Sequence, residues 1–192
     1  MNDSHEKPKG AGKSSFDLID SARLKTLLPV RPGSVVVDLA CGKGFYSLFL
    51  SEIVGPAGLI YGVDLWQEGL ILLEEQAKEK GISNILPLLA DAGRQIDIDD
   101  ASADLCLMAT VLHDFAEAGQ EDVVLEKVKR ILRPGGCLAV IEFKKIQGPP
   151  GPPIQIRLDP AQVEAMVSGH GFVKNQEADM GEYNYLVTFR SR

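Results

Sequence analysis

Short unbroken apolar runs alternate along this chain with segments whose apolar residues recur every three or four positions, and each rhythm predicts a different element. Phe16, Ile19, Leu24, Leu27 and Leu28 fall at helical spacing and stop before Pro29, predicting one lid helix over residues 16–28. Residues 34–39 then read as a buried strand, 45–54 as a helix and 59–63 as a second strand. The alternation continues with a helix over 68–80 closed by Gly81, a short strand over 85–90 and a buried strand over 103–109. A helix over 120–132, stopped by Pro134 and Gly135, precedes a fifth strand over 137–143.

The last third changes rhythm. Residues 147–153 form a Pro/Gly loop, and 160–168 a helix with Asp159 as N-cap and Pro160 at its first position. Residues 172–178 and 183–190 are two strands joined by a tight turn at Met180 and Gly181, an antiparallel finish. Strands separated by helices require right-handed crossovers and a parallel sheet covered on both faces. The expected fold is therefore α/β: a Rossmann-like doubly wound sheet of seven strands, mostly parallel, with an antiparallel C-terminal strand.

Composition narrows the picture. At 192 residues, 45% hydrophobic and 24% charged, the chain suits one globular domain, expected over 15–192, behind a flexible tail over 1–14. No apolar run approaches the ~18 residues that span a bilayer, and the polar opening MNDSHEKPKGAGKSS lacks a secretory apolar stretch, so the expected location is cytoplasmic. A net charge of −7 without a Lys/Arg cluster argues against nucleic acid. Cys41, Cys106 and Cys137 have no metal-ligand spacing, so no metal is expected and buried reduced thiols are the plain reading. Monomer and homodimer both remain open.

Candidate chemistry gathers where strands end. The run Val35-Val36-Val37-Asp38-Leu39-Ala40-Cys41-Gly42-Lys43-Gly44-Phe45-Tyr46-Ser47 carries a buried strand into a turn of small residues that opens a helix, where backbone N–H groups can approach a ligand. Asp64 stands at the end of the next strand, twenty residues after Gly44, where a carboxylate can accept from both hydroxyls of a ribose. Asp91 and the stretch from Thr110 to Asp114 add polar groups at the same carboxyl edge. Each aspartate alone could be a helix cap or turn residue; their joint placement favours a ligand crevice. Gly10-Ala11-Gly12-Lys13-Ser14 has the ending of a phosphate-binding loop, but its first glycine would fall on Lys7 and no strand precedes it, so it reads as tail.

On these residues the chain resembles the class I S-adenosylmethionine-dependent methyltransferases, in particular the small-molecule group that includes the quinone-biosynthesis enzymes. Their motif Asp-x-Gly-x-Gly-x-Gly appears as Asp38-Leu39-Ala40-Cys41-Gly42-Lys43-Gly44, with Ala40 in place of the first glycine. YGVDL at 61–65, LADA at 89–92, DLCLMATVLHDF at 104–115 and LRPGGCLAVIEF at 132–143 follow in the family's order. The resemblance implies S-adenosyl-L-methionine as cofactor. It implies that Ala40, Cys41, Gly42 and Gly44 cradle the methionine part, with Asp38 organising the turn and reaching the amino group through water. Asp64 with Leu65 would take the ribose, Asp91 with the backbone of Ala92 the adenine edge, and Thr110 would line the crevice.

Methyl transfer from a sulfonium is an in-line displacement in which alignment and a dry pocket do most of the work. His113, just past the fourth strand, is the candidate base, with Asp114 to orient it; capping of the next helix or packing beside the cofactor is its plainer role. His170 reads as a turn residue and His5 as tail. Glu142, Lys144 and Arg157 are candidates to line the pocket of a small-molecule acceptor, Arg157 by pairing with an anionic group. The absence of an Asn-Pro-Pro-aromatic motif at 109–112 weighs against a protein or nucleic-acid acceptor, and the scattered cysteines against arsenic. Two alternatives stand beside this reading. One is a non-catalytic cofactor-binding or interaction protein on the same fold; the other is a nicotinamide-dependent oxidoreductase, which Gly42-x-Gly44-x-x-Ser47 fits loosely.

Overall fold

A computed structural model describes residues 12–192. Seven strands form one sheet in the order β3-β2-β1-β4-β5-β7-β6. They are β1 (Val35–Leu39), β2 (Leu59–Asp64), β3 (Ile85–Leu89), β4 (Ala103–Ala109), β5 (Leu132–Phe143), β6 (Phe172–Asp179) and β7 (Asn184–Ser191). The first five run parallel, and β7 lies between β5 and β6, antiparallel to both. The helices are α1 (Ser21–Leu27), α2 (Phe45–Val54), α3 (Gln67–Glu79), α4 (Leu112–Glu117), α5 (Glu121–Ile131) and α6 (Pro160–Ser168). The expected doubly wound α/β sheet is the one observed.

Successive side chains of a strand face opposite sides of the sheet, and two cores follow. Val37, Leu39, Cys106 and Met108 pack toward Val124 and Val128 of α5 and Val163 of α6. Val36, Leu105 and Leu107 pack on the other face with Leu24 of α1 and Leu50 and Val54 of α2. Strands buried on both faces explain why β1 and β4 appear as continuous apolar runs rather than alternating ones. Among the described residues no helix is long and apolar enough to cross a membrane.

Three local departures have identifiable causes. The single helix expected over 16–28 is interrupted: Phe16–Leu18 is a 3-10 turn, Ile19 is extended, and the Asp20 side chain caps α1 by accepting from Arg23 N at 2.9 Å. The apolar spacing was right, but an Asp beside the backbone favours a cap over helix interior. Helix α4, six residues long, is too short for periodicity to reveal. Strand β5 begins at Leu132, whose partner is Ala103; a register shift then puts Leu105 opposite Cys137, so residues 133–136 bulge from the ladder. Of the expected tail, residues 1–11 lie outside the described residues, and 12–14 lie over the turn after β1.

Arg157 corrects an expectation. It is 2% exposed and turns inward, donating from Nε to Pro152 O (2.9 Å), from Nη1 to Lys144 O (3.0 Å) and Ile146 O (2.9 Å), and from Nη2 to Gly148 O (2.7 Å) and Pro150 O (2.8 Å). A guanidinium has five N–H donors, so none is left for an anionic acceptor. Its plane also sits 5.5 Å from the Phe143 ring centroid, a cation–π contact that helps a buried charge lacking a carboxylate. The Pro/Gly loop is thus wound around a cation. Replacing Arg157 with Leu should strand these carbonyls and cost about 3 kcal/mol, read as a lowered urea midpoint together with new protease cleavage within 147–153. An unchanged midpoint would show that the loop holds itself.

Candidate functional site

The carboxyl ends of β1, β2 and β4 meet at the turn after β1. Gly44, in the left-handed region at φ 74, caps the start of α2, and a Cβ there would meet Leu73 at 2.3 Å. Gly42, at φ 57, is different: a Cβ there would touch no protein atom and would stand in the open crevice. The backbone therefore comes close to whatever fills that space. Ala40 holds φ 60 and Thr110, at the end of β4, φ 54; left-handed backbone costs a non-glycine residue roughly 1–2 kcal/mol. Such strain collects where the surrounding structure imposes a shape for function.

Two carboxylates organise the crevice. Asp64 accepts from Gly42 N at 2.7 Å through Oδ2 and from Trp66 N at 2.8 Å through Oδ1. A carboxylate has about four acceptor positions, so these backbone donors do not use all of them and capacity remains toward a diol. Asp38 is 1% exposed and accepts from Ser47 Oγ at 2.6 Å. Burial pushes its carboxyl up to about 7 despite the Ser47 hydrogen bond, and the nearby Asp64 charge adds to the rise. Burial also raises Asp64, against the backbone N–H groups of Gly42, Trp66 and Leu65. Two neighbouring carboxylates that resist ionisation favour a cationic ligand, which would relieve both.

The structure brings most of the candidate residues together. Asp38, Ala40, Cys41, Gly42 and Thr110 line one cavity of about 40 Å³, and Asp64 joins it through Gly42. Ala90 N donates to Asp64 O at 2.9 Å, setting Asp91 beside the end of β2. Asp91 accepts from Gly93 N at 2.8 Å and lies 3.3 Å from Arg94 Nε. The Ala92 side chain is buried in the core, while Leu65 is half exposed on the rim beyond Asp64. Lys144 turns away to Asp179 at 2.6 Å, and His170 pairs with Asp122 at 2.9 Å, both on the surface.

His113 lies three residues past Thr110, buried, with Nδ1 2.7 Å from Glu142 Oε2 and its backbone N donating to Oε1 at 3.1 Å. Asp114, expected to orient it, is 3.6 Å from Nε2. The nearer carboxylate is Glu142, fully buried at the end of β5, whose oxygens are taken by His113 and which therefore does not line an acceptor pocket as expected. Burial works against a charged imidazole, but the Glu142 hydrogen bond and charge, with Asp114 and Glu117, outweigh it and raise the His113 pKa above 6.5. Sequence reasoning also missed the roof of the cavity. Gly12, Lys13, Ser14 and Ser15 cover it, and Ser15 Oγ lies 2.8 Å from Tyr46 OH; a segment without periodicity offered no signal.

The profile of the ubiE/COQ5 methyltransferase family matches residues 17–187. The chain belongs to that family. A ubiquinone/menaquinone biosynthesis C-methyltransferase of Burkholderia multivorans is 30% identical over 120 residues, 62% of this chain and 47% of that protein. An arsenite methyltransferase of Halobacterium salinarum is 27% identical over 161 residues, 84% of this chain and 39% of that protein. The chain thus spans less than half the length of these two curated relatives. The crystal structure of a SAM-dependent methyltransferase from Aquifex aeolicus superposes with a TM-score of 0.84 at 25% identity, covering 97% of this chain and 95% of that one. The family's cofactor is S-adenosyl-L-methionine, and the donor set fits it: open backbone at Gly42, a half-satisfied carboxylate at Asp64, and a buried acid at Asp38 for an ammonium.

The Asp38 shift has a measurable consequence for the ligand-free protein. Because the folded pKa lies above the ordinary 3.8, stability that is full below about pH 4 should decline as pH rises through about 7. Asp38→Asn should remove that decline, so the variant's advantage in melting temperature should grow from pH 4 to pH 8. Parallel curves for variant and parent would show that Asp38 titrates normally.

Proposed function

We propose that this chain is an S-adenosyl-L-methionine-dependent methyltransferase acting on a small-molecule acceptor, with His113 as the base and Glu142 as the residue that positions it. The observation that carries this reading is the single crevice in which Asp38, the Gly42 backbone and Asp64 converge at the tips of adjacent strands, with the His113–Glu142 pair just past one of those tips. When bound, the cofactor supplies an electrophilic methyl on a sulfonium. Asp38 would serve its ammonium, Asp64 would hold its ribose hydroxyls, and Asp91 with the Ala92 backbone would hold its adenine edge.

The Glu142 carboxylate accepts the Nδ1 proton, which leaves the Nε2 lone pair of His113 free to take a proton from an acceptor O–H, N–H or acidic C–H. The acceptor atom would then keep an electron pair for the sulfonium methyl that the bound cofactor would supply, with the S–C bond pair leaving on the thioether sulfur. A raised pKa suits a base working near neutrality. An arsenic acceptor is disfavoured: Cys106 and Cys137 belong to the cores on opposite faces of the sheet, and burial raises all three thiols, Cys137 to about 12, so they stay protonated. Unpaired thiols support a reducing, cytoplasmic setting.

Calorimetry with S-adenosyl-L-homocysteine should show binding that Asp64→Ala weakens at least about tenfold; no binding would reject the assignment. With an acceptor drawn from hydroxylated aromatics and quinols, His113→Ala should lower kcat by about 100-fold or more. Glu142→Gln should move the acid limb of the pH–rate profile downward, because the carboxylate that raises the imidazole pKa is gone. A limb that stays in place would remove His113 from the role of base. Tight binding with no turnover on any acceptor would favour a non-catalytic role instead.

A further inference from the structure

We propose that Lys13, in the segment that covers the turn after β1, is the cation that receives the carboxylate of the cofactor's amino-acid end. The inference rests on the cofactor assignment above and adds a residue that its motifs do not contain. The floor of the cavity is made by the ends of β1 and β4, with Asp38 and Ala40 on one side and Ala109 and Thr110 on the other. Its roof is residues 12–15. An amino-acid end carries one positive and one negative group, and Asp38 matches only the first. A carboxylate brought against Asp38 and Asp64 without a cation would be repelled by both.

Among the described residues, the cations on the cavity wall are Lys13 and Lys43. Lys43 belongs to the turn itself, and its carbonyl is 3.4 Å from Gln76 Nε2 of α3. Lys13 comes from the roof segment, two positions before Ser15, whose Oγ is 3.4 Å from Thr110 Oγ1 at the end of β4. Its placement is built rather than incidental. Phe16 stacks edge-on to Tyr46 at 5.1 Å and lies 5.4 Å from Phe49. Ser15 is 2% exposed and bonds Tyr46 OH. Two anchors, Ser15 and Phe16, stand two and three positions after the exposed lysine, so its long stem can swing over the opening while the backbone beyond it stays tethered.

Residues 12–15 share the cavity wall with Asp38, Ala40 and Thr110, so an amino-acid group held there would meet Lys13. The Gly-Lys-Ser sequence here would thus serve an anion after all: a carboxylate, held by a lysine reaching from the segment, rather than a phosphate in a loop.

The test compares two ligands that share the nucleoside. S-adenosyl-L-homocysteine has the amino-acid end; 5′-deoxy-5′-methylthioadenosine lacks it. Calorimetry on the full chain should show Lys13→Ala weakening the first about tenfold and leaving the second within about twofold, with Lys13→Arg restoring most of the loss and Lys13→Glu deepening it. Equal loss for both ligands would mean that Lys13 supports the fold of the segment, and the inference would fall. It would also fall if Lys13→Ala left both affinities unchanged, or if Lys43→Ala produced the larger selective loss. A parent protein that binds neither compound would overturn the cofactor assignment and this inference together.

Discussion

The Asp64 carboxylate, shared between Gly42 N and Trp66 N, ties the turn after β1 to the end of β2, and the crevice takes its shape from that tie. It draws the backbone of one strand tip toward the next and holds the intervening residues in left-handed conformations at Ala40, Gly42 and Gly44. Once Gly42 is fixed with nothing opposite its missing side chain, a ligand can lie directly against main chain. The same hydrogen bonds partly satisfy the carboxylate, which offsets the cost of its burial. The crevice is thereby ready before any ligand arrives, at a cost in backbone strain and in poorly solvated charge.

That cost is local, and its distribution carries functional meaning. Asp38 is more burdened than Asp64 because its main compensation is one hydroxyl, from Ser47. His113 shows the opposite balance, since its buried partner Glu142 overcomes the penalty of burial. Neighbouring strand ends thus hold an acid that resists ionising and an imidazole that accepts protons readily. The first suits a site awaiting a positive ligand, the second a site awaiting a proton. Neighbouring environments that push titratable groups apart are how one pocket assigns separate roles to them.

The Pro/Gly loop is built on different terms. Arg157 gathers five carbonyls of the 144–152 segment, so the Pro/Gly loop owes its shape to a buried cation instead of a regular ladder. Phe143, which this cation contacts, follows Glu142 directly, so the loop and the partner of His113 share one strand end. At the other border, residues 12–16 are fastened to Tyr46 and Phe49.

Local spacing determined much of this by itself. The seven strands, the helices longer than two turns, the small-residue turn, and the acids at strand tips were all legible, because each depends on residues a few positions apart and on the periods of 2 and 3.6. The capping of α6 by Asp159 and Pro160 was legible for the same reason. Only the tertiary structure decided which carboxylate His113 meets, since Glu142 is 29 positions away and Asp114 is adjacent in sequence. It alone decided that Arg157 turns inward, that β7 enters between β5 and β6, and that a stretch without periodicity covers the crevice, with Ser15 meeting Tyr46 31 positions on. Pairings of that reach depend on how the sheet twists and closes its faces, and spacing along the chain does not encode the direction in which a side chain turns once several partners lie within reach.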